Sequence, residues 1–318
     1  MSVEQSNTPY HIPALLTQTV DALRVRPGGI YVDCTLGGGG HSRAVAKGLD
    51  AAAGGRLLAF DQDTDAVSRA LADPDLGGNP AVTVVHGNFR YLTNFARYYG
   101  VDGSVDGVMA DLGVSFHHFD DPERGFSFRF DNSPLDMRMN TAGALTAADL
   151  VNTADTAALT RIFRLYGELG QAPRLAAAIV RARAEAPVDT AARLVAVADT
   201  VISPRQRKKE LAQVFQALRI EVNDELGALR RMLQGAVRVL RPGGRLAVIT
   251  YHSLEDRLVK NFMRTGNVDG VADKDFYGNL RSPLRPLTSK PVVPDGAEVD
   301  ANPRSRSAKL RVAEKISV

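Results

Sequence analysis

Residues 31–46 read "YVDCTLGGGGHSRAVA": an apolar run closing on Asp33, four glycines from Gly37 to Gly40, then a helix-forming run that opens near His41. Glycines between a strand and a helix let the backbone approach a ligand with no Cβ in the way, and the helix N-terminus behind them offers unpaired N–H groups. A second strand, "GRLLAFDQD", ends in Asp61 about twenty residues further on. At that spacing a carboxylate meets ribose hydroxyls in Rossmann-like sites. Turn, helix and distant acid occur together, which argues against a plain glycine turn with an acidic cap.

Three nucleotide classes compete for such a loop. A Walker loop needs Gly-Lys-Ser/Thr, and none follows these glycines. A dinucleotide loop wants a small residue at its third glycine position, which is Arg43 or Ser42 depending on the start, so NAD is disfavoured only mildly. S-adenosylmethionine needs a close backbone, a ribose acid and an apolar wall for adenine. The loop alone leaves NAD and S-adenosylmethionine open. Three other segments favour the methyl donor. Phe89, in "HGNF" after the third strand, is placed to wall an adenine ring, although a core Phe at a strand end explains it equally well. Asp111, in "MADLGVS", sits at the C-terminal edge of the fourth strand, where open α/β sheets carry their sites. "VLRPGGRLAVITYHS" has the helix, turn and strand of the second half of a methyltransferase domain.

Around these motifs the chain alternates strands and helices up to "VDGVMADLG", the pattern of a doubly wound parallel sheet. Residues from about 140 to 200 are instead Ala-, Leu- and Arg-rich with helical periodicity, as in "ALTAADLVNTADTAALTRIFRLYG" and "APRLAAAIVRARAEAP". The α/β rhythm resumes at "NDELGALRRMLQGAVRVLRPGGRLAVITYHS", with Asn223 or Asp224 as helix cap and Pro242 as its stop. A short strand in "SAKLRVAE" closes the pattern. The expected organisation is one α/β domain with a helical insertion after its fourth strand: residues 1–133, insertion 134–213, and residues 214–318.

Composition limits what such a chain does. Its 318 residues are 44% hydrophobic, enough for a sizeable core. With 39 basic against 36 acidic residues, the net charge of +3 is a weak pointer to a polyanionic partner. A single cysteine, Cys34, excludes a disulfide framework and a multi-thiolate zinc site. No signal-like segment or membrane-length apolar run is present, so the expectation is a soluble cytoplasmic protein with no membrane partner.

With these segments in place, the chain resembles the bacterial small-subunit (16S) ribosomal RNA cytidine N4-methyltransferases (RsmH, also called MraW). The resemblance runs from "HIPALLTQTVDAL" to "NPRSRSAKLRVAEK" and is most specific in "YVDCTLGGGGHS", "ERGFSFRFDNSPLDMRMN", "FQALRIEVNDEL" and "TYHSLEDRLVKNFM". It implies a class I Rossmann-like methyltransferase fold using S-adenosylmethionine, with 16S rRNA, within the small subunit, as partner. A homodimer is compatible with it. The implied cofactor contacts fall on Gly38, Gly39, Gly40, His41, Asp61, Phe89, Asp111 and His118, with Asp111 also placed at the chemistry. His118, in "SFHHFD", stands where the family usually has a glutamine, and "RQRKKELAQV" replaces a usual His-Pro-Ala segment. RNA contacts of other members are therefore not transferred to Arg205, Arg207, Lys208 and Lys209.

The implied reaction asks for an amine held in line with a methyl group and a hydrogen-bond acceptor for that amine, a role for Asp111 or a nearby carbonyl. The target base must leave its stack. "RGFSFRFDNSPLDMRM", with Phe126, Phe128 and Phe130 among Arg124, Arg129 and Arg138, reads either as the surface that receives it or as an edge strand with buried phenylalanines. His252, Ser253 and Glu255 in "TYHSLEDR" lie too close in sequence for a triad and are expected to line the pocket at the fifth strand's end. A metal on His117, His118 and Asp120 is disfavoured, and the deaminase zinc signature is absent. A ribosome-assembly factor that keeps the fold without catalysis, and a DNA or protein methyltransferase, are the competing readings.

Overall fold

In the computed structural model, residues 13–114, 119–278 and 280–317 are described. The chain divides into two compact units, one of residues 1–113 with 228–318 and one of residues 114–227.

The first unit is built on a seven-stranded sheet. Four strands alternate with helices: α1 (Leu16–Leu23), β1 (Ile30–Asp33), α2 (Gly40–Ala46), β2 (Arg56–Asp61), α3 (Thr64–Ala72), β3 (Val82–His86), α4 (Leu92–Tyr98) and β4 (Val105–Asp111). After the second unit come β5 (Leu240–Thr250), α11 (Ser253–Thr265), β6 (Leu284–Pro286), α12 (Gly296–Ala301) and β7 (Lys309–Lys315). The strand order is β3-β2-β1-β4-β5-β7-β6, with β1 to β5 parallel and β7 antiparallel to both its neighbours. This is the class I Rossmann-like methyltransferase arrangement expected from the sequence. The strands read as continuous apolar runs because helices cover both faces, and β4 is buried from Val105 to Ala110.

The Pro-Gly-Gly segment works differently from a simple helix stop. Val105 pairs with Leu240 and Gly107 with Arg245, so residues 241–244 loop out of the register before β5 resumes regular pairing. Asp106 anchors that end of the sheet. Its buried carboxylate accepts hydrogen bonds from the Ile30 N–H (2.8 Å), Arg26 (2.6 Å) and Arg241 (2.5 Å). Burial pushes its pKa up, but the Ile30 N–H and the two guanidinium groups prevail and hold it below the usual carboxylate range. At the far side of the sheet Asp256 of α11 pairs with Arg311 of β7 (2.7 Å), fixing that helix on the antiparallel strand.

The second unit is helical: α5 (Ala147–Thr153), α6 (Thr156–Leu165), α7 (Ala172–Glu185), α8 (Ala191–Asp199) and α9 (Arg207–Asn223), with α10 (Glu225–Val239) leading back into the sheet. Its core gathers Leu150, Leu159, Phe163, Leu175, Ile179 and Leu218. The unit extends beyond 134–213 at both ends. Phe126, Leu135 and Met137 pack into the helical core, and Asn223 joins the last turn of α9 to the preceding loop. The Asn223 amide donates to Met137 O (2.8 Å) and its oxygen accepts from Met139 N (2.8 Å), so Asn223 is not the cap of α10. Asp224, at φ 47°, makes the joint between the two helices.

The Phe/Arg segment is not an edge strand. Residues 125–133 form loop and turns. Phe126 is only 4% exposed, and Phe128 lies against Phe215 with ring centroids 5.4 Å apart. Arg124 is buried and donates to the carbonyls of Arg138 and Met139, while Arg138 is held by Asp136 (2.7 Å) and Gly143 O (2.6 Å). Two of the three rings, Phe126 and Phe128, have gone to the core, and two of the three guanidinium groups to backbone and carboxylate partners.

Replacing Asp106 by Ala strands the Ile30 N–H in the interior, and a loss of about 1–3 kcal/mol in urea unfolding is expected. Because the folded-state pKa lies below the unfolded one, this contribution is present above about pH 4 and fades as pH falls further. Unfolding midpoints of wild type and Asp106→Ala should therefore converge on acidification.

Candidate active site

Parallel strands bring their C-terminal ends to one side, and three of these strands finish in a carboxylate: Asp33 on β1, Asp61 on β2 and Asp111 on β4. The loops after the strands hold them in place. Asp33 is fully buried and accepts from Ser42 Oγ (2.6 Å) and the Thr35 N–H (2.9 Å). Asp61 accepts from the Gly37 N–H (2.8 Å) and, through its other oxygen, from the Asp63 N–H (2.9 Å). Asp111 accepts the Tyr251 phenol at Oδ1 (2.8 Å), its Oδ2 lies 3.8 Å from His41 Nδ1, and its N–H donates to Thr35 Oγ1 (2.6 Å).

These acids load one another. Burial raises the Asp33 pKa to about 6, against the pull of its Ser42 and Thr35 donors and with help from the charge of Asp61. Burial likewise raises Asp111 to about 7, opposed by the Tyr251 hydrogen bond and reinforced by Asp33 and Glu255. Such a cluster favours a cationic guest and disfavours a pyrophosphate. Cys34, buried beside Asp33, has its thiol pushed well up by burial and then by that charge, so it stays a thiol.

The glycine loop has its own reasons for glycine. Gly39 has φ +75°, and a Cβ there would come within 2.6 Å of Leu76 Cδ1. A Cβ on Gly40 would come within 2.4 Å of the Pro13 ring. These two glycines are required by the chain's own packing, whatever else the loop meets. Gly38 gives its carbonyl to Arg43 (2.8 Å). His41 is only 5% exposed, with Nε2 3.2 Å from Ala14 O, so it ties the segment before α1 to the strand ends. Phe89 opens a 3-10 turn after β3, capped by Asn88, and is half-buried. His118 and His117 lie outside the described residues.

The structure thus brings Asp61 and Asp111 together through Asp33, with His41 beside Asp111. Sequence reasoning passed over Tyr251 as an individual site residue and read Glu255 only as part of a pocket-lining segment. Tyr251 meets Asp111 only because β5 pairs with β4 in the register Asp111 to Ile249, which no local motif reveals. The Tyr251 N–H donates to Glu255 Oε2 (3.0 Å), and Glu255 Oε1 is 3.2 Å from His252 Nε2, so "TYHSLE" folds back on itself at the strand end rather than forming a triad. Among the described residues no helix is long and apolar enough to cross a membrane.

Comparison with known proteins agrees over the whole length. Residues 8–316 match the MraW methylase family. A protein of Parabacteroides distasonis named ribosomal RNA small subunit methyltransferase H is 55% identical over 314 residues, covering 99% of this chain and 100% of its own. Proteins of the same name from Bacteroides fragilis and Porphyromonas gingivalis are 54% and 52% identical, covering 98% and 99% of this chain and the whole of their own. With this similarity spread from end to end, the chain belongs to the MraW methylase family.

Proposed function

We propose that this protein transfers a methyl group from S-adenosylmethionine to the exocyclic N4 of a cytidine in 16S rRNA of the small ribosomal subunit. The observation that carries the reading is the run of carboxylates Asp33, Asp61 and Asp111 on adjacent strand ends beside a glycine loop. The naming of the relatives supports rRNA as substrate, and the resemblance in "FQALRIEVNDEL" and "TYHSLEDRLVKNFM" supports the cytidine amine.

S-adenosylmethionine supplies an electrophilic methyl group on a positively charged sulfur. The cluster suits that charge: ionised Asp111 and Asp33 gain by a neighbouring cation what they lose to each other's repulsion. Asp61, at the end of β2, faces the ribose hydroxyls, Phe89 offers an apolar face for adenine, and the loop from Gly38 to His41 receives the amino-acid end. Asp111 then accepts a hydrogen bond from the cytidine amine. That bond favours a more pyramidal nitrogen whose lone pair is less delocalised into the ring, and it gives the amine proton a destination. The adjacent sulfonium favours the ionised carboxylate before transfer, and its loss of charge afterwards leaves Asp111 the better proton acceptor. The unit of residues 114–227 is the proposed substrate-recognition part, where Arg205, Lys208 and Lys209 are exposed.

The decisive experiment is mass spectrometry of rRNA from cells lacking the gene: an N4-methylated cytidine is expected to disappear from one 16S rRNA fragment, and an unchanged map would refute the assignment. At the protein level, Asp111→Asn should lower methyl transfer by about 10²-fold. Binding of S-adenosylmethionine should also respond to pH. Asp111 is raised to about 7 in the free protein, and an adjacent cation lowers it, so binding at lower pH must expel a proton. Affinity measured by calorimetry should weaken about tenfold from pH 8 to pH 6 by this linkage. S-adenosylhomocysteine, which lacks the sulfonium charge, should show a shallower dependence, and equal slopes would place Asp111 away from the sulfur.

A further inference from the structure

We infer that Tyr251 is a positioning residue for the transfer: its phenol, bonded to Asp111 Oδ1 at 2.8 Å, holds the carboxylate so that Oδ2 is the oxygen presented to the substrate amine. The inference rests on the reading of Asp111 as the amine's acceptor. A carboxylate at a strand end turns freely about its last bond, because that torsion has a broad, two-fold profile. Two contacts remove this freedom. The Asp111 backbone is tied to Thr35 Oγ1 at 2.6 Å, and one side-chain oxygen is occupied by the phenol. The other oxygen lies 3.8 Å from His41 Nδ1, beyond hydrogen-bond distance.

Tyr251 is itself fixed. It follows directly on β5, its ring packs against the core cluster of the sheet, and its N–H is held by Glu255, which is buried on the first turn of α11. The phenol is a permanent donor. Burial, then the charge of Asp111, pushes its pKa well above the ordinary tyrosine value, so it does not ionise at any pH where the enzyme works. Among the described residues, the charged and titratable groups around Asp111 are His41 from α2, Asp33 from β1, Tyr251 after β5 and Glu255 from α11. Of these, Tyr251 is the one whose hydrogen bond favours the ionised carboxylate, while Asp33 and Glu255 oppose it.

Tyr251→Phe keeps the ring and removes only the donor, which makes it the test. Methyl transfer from labelled S-adenosylmethionine to small subunits from cells lacking the gene is measured for wild type, Tyr251→Phe, Asp111→Asn and the double variant between pH 5.5 and 9. For Tyr251→Phe, kcat should fall about fivefold to tenfold with KM for the methyl donor within about twofold, the size of one lost hydrogen bond. The acidic limb of its kcat profile should move up by about one pH unit, since the carboxylate has lost a donor that favours its ionised form. In the Asp111→Asn background the same change should add less than about a twofold loss, because the two act as one unit. The inference is overturned if kcat and the acidic limb are unchanged in Tyr251→Phe. It is equally overturned if activity falls with the limb in place and a lower melting temperature, or if the loss persists in full beside Asp111→Asn. Full turnover by Asp111→Asn alone would instead remove the role of Asp111, and that of Tyr251 with it.

Discussion

Like charges crowded at one end of a parallel sheet are the constraint around which the rest of this unit is arranged. Asp33, Asp61 and Asp111 end neighbouring strands, and Asp33 interacts with both of the others. An isolated cluster of this kind would take up protons and collapse into neutral pairs. Fixed dipoles oppose it: the N–H groups of Thr35, Gly37 and Asp63 and the hydroxyls of Ser42 and Tyr251 all point at these oxygens. The β1–α2 loop therefore has a first task inside the protein, before any ligand arrives. Its glycines fit that task, since Gly37 turns its N–H toward Asp61 while Gly39 and Gly40 pass under Leu76 and Pro13.

Much of this was legible in the sequence. The alternation of apolar runs and amphipathic segments gives β1 to β4 with their helices, and the acids at the strand ends could be read as strand ends because the apolar runs stop there. The position of the second unit was also visible, since a long Ala/Leu/Arg stretch with a period near 3.6 has no place in a parallel sheet. Its edges were not. "RGFSFRF" carries alternate phenylalanines that look like a strand, yet Phe126 and Phe128 enter a helical core from a loop, and of the two cap candidates Asn223 instead holds Met137 and Met139, which leaves Asp224 directly before α10. Both outcomes have one cause: a side chain's partner lies far away in sequence, and local pattern is blind to it. The Tyr251–Asp111 contact escaped for the same reason, spanning 140 residues through a strand register.

The arginines teach a related lesson about charge. A near-balanced chain still offers many cations to a polyanion, and the sequence invites each Arg near an aromatic to be counted as a contact. In the fold, Arg26 and Arg241 converge on Asp106, Arg311 on Asp256, and Arg219 on Glu225 at 2.8 Å. Arg124 is spent on carbonyls. Positive charge available to an RNA is thus less than the composition suggests.

The placement of β7 between β5 and β6 bears on how the chain is made. β4 ends at Asp111 and β5 begins at Leu240, so at ordinary translation speeds of 5–20 residues per second the ribosome needs about 6–26 s before the fifth strand exists. In that interval β4 is an open edge, a template for unwanted pairing. The intervening helices have mostly local contacts and close early. The second wait is shorter: β6 has no neighbour until residues 309–315 arrive to bridge it to β5. Synthesis thus passes through two stages with exposed strand edges, and aggregation of nascent chains should concentrate there.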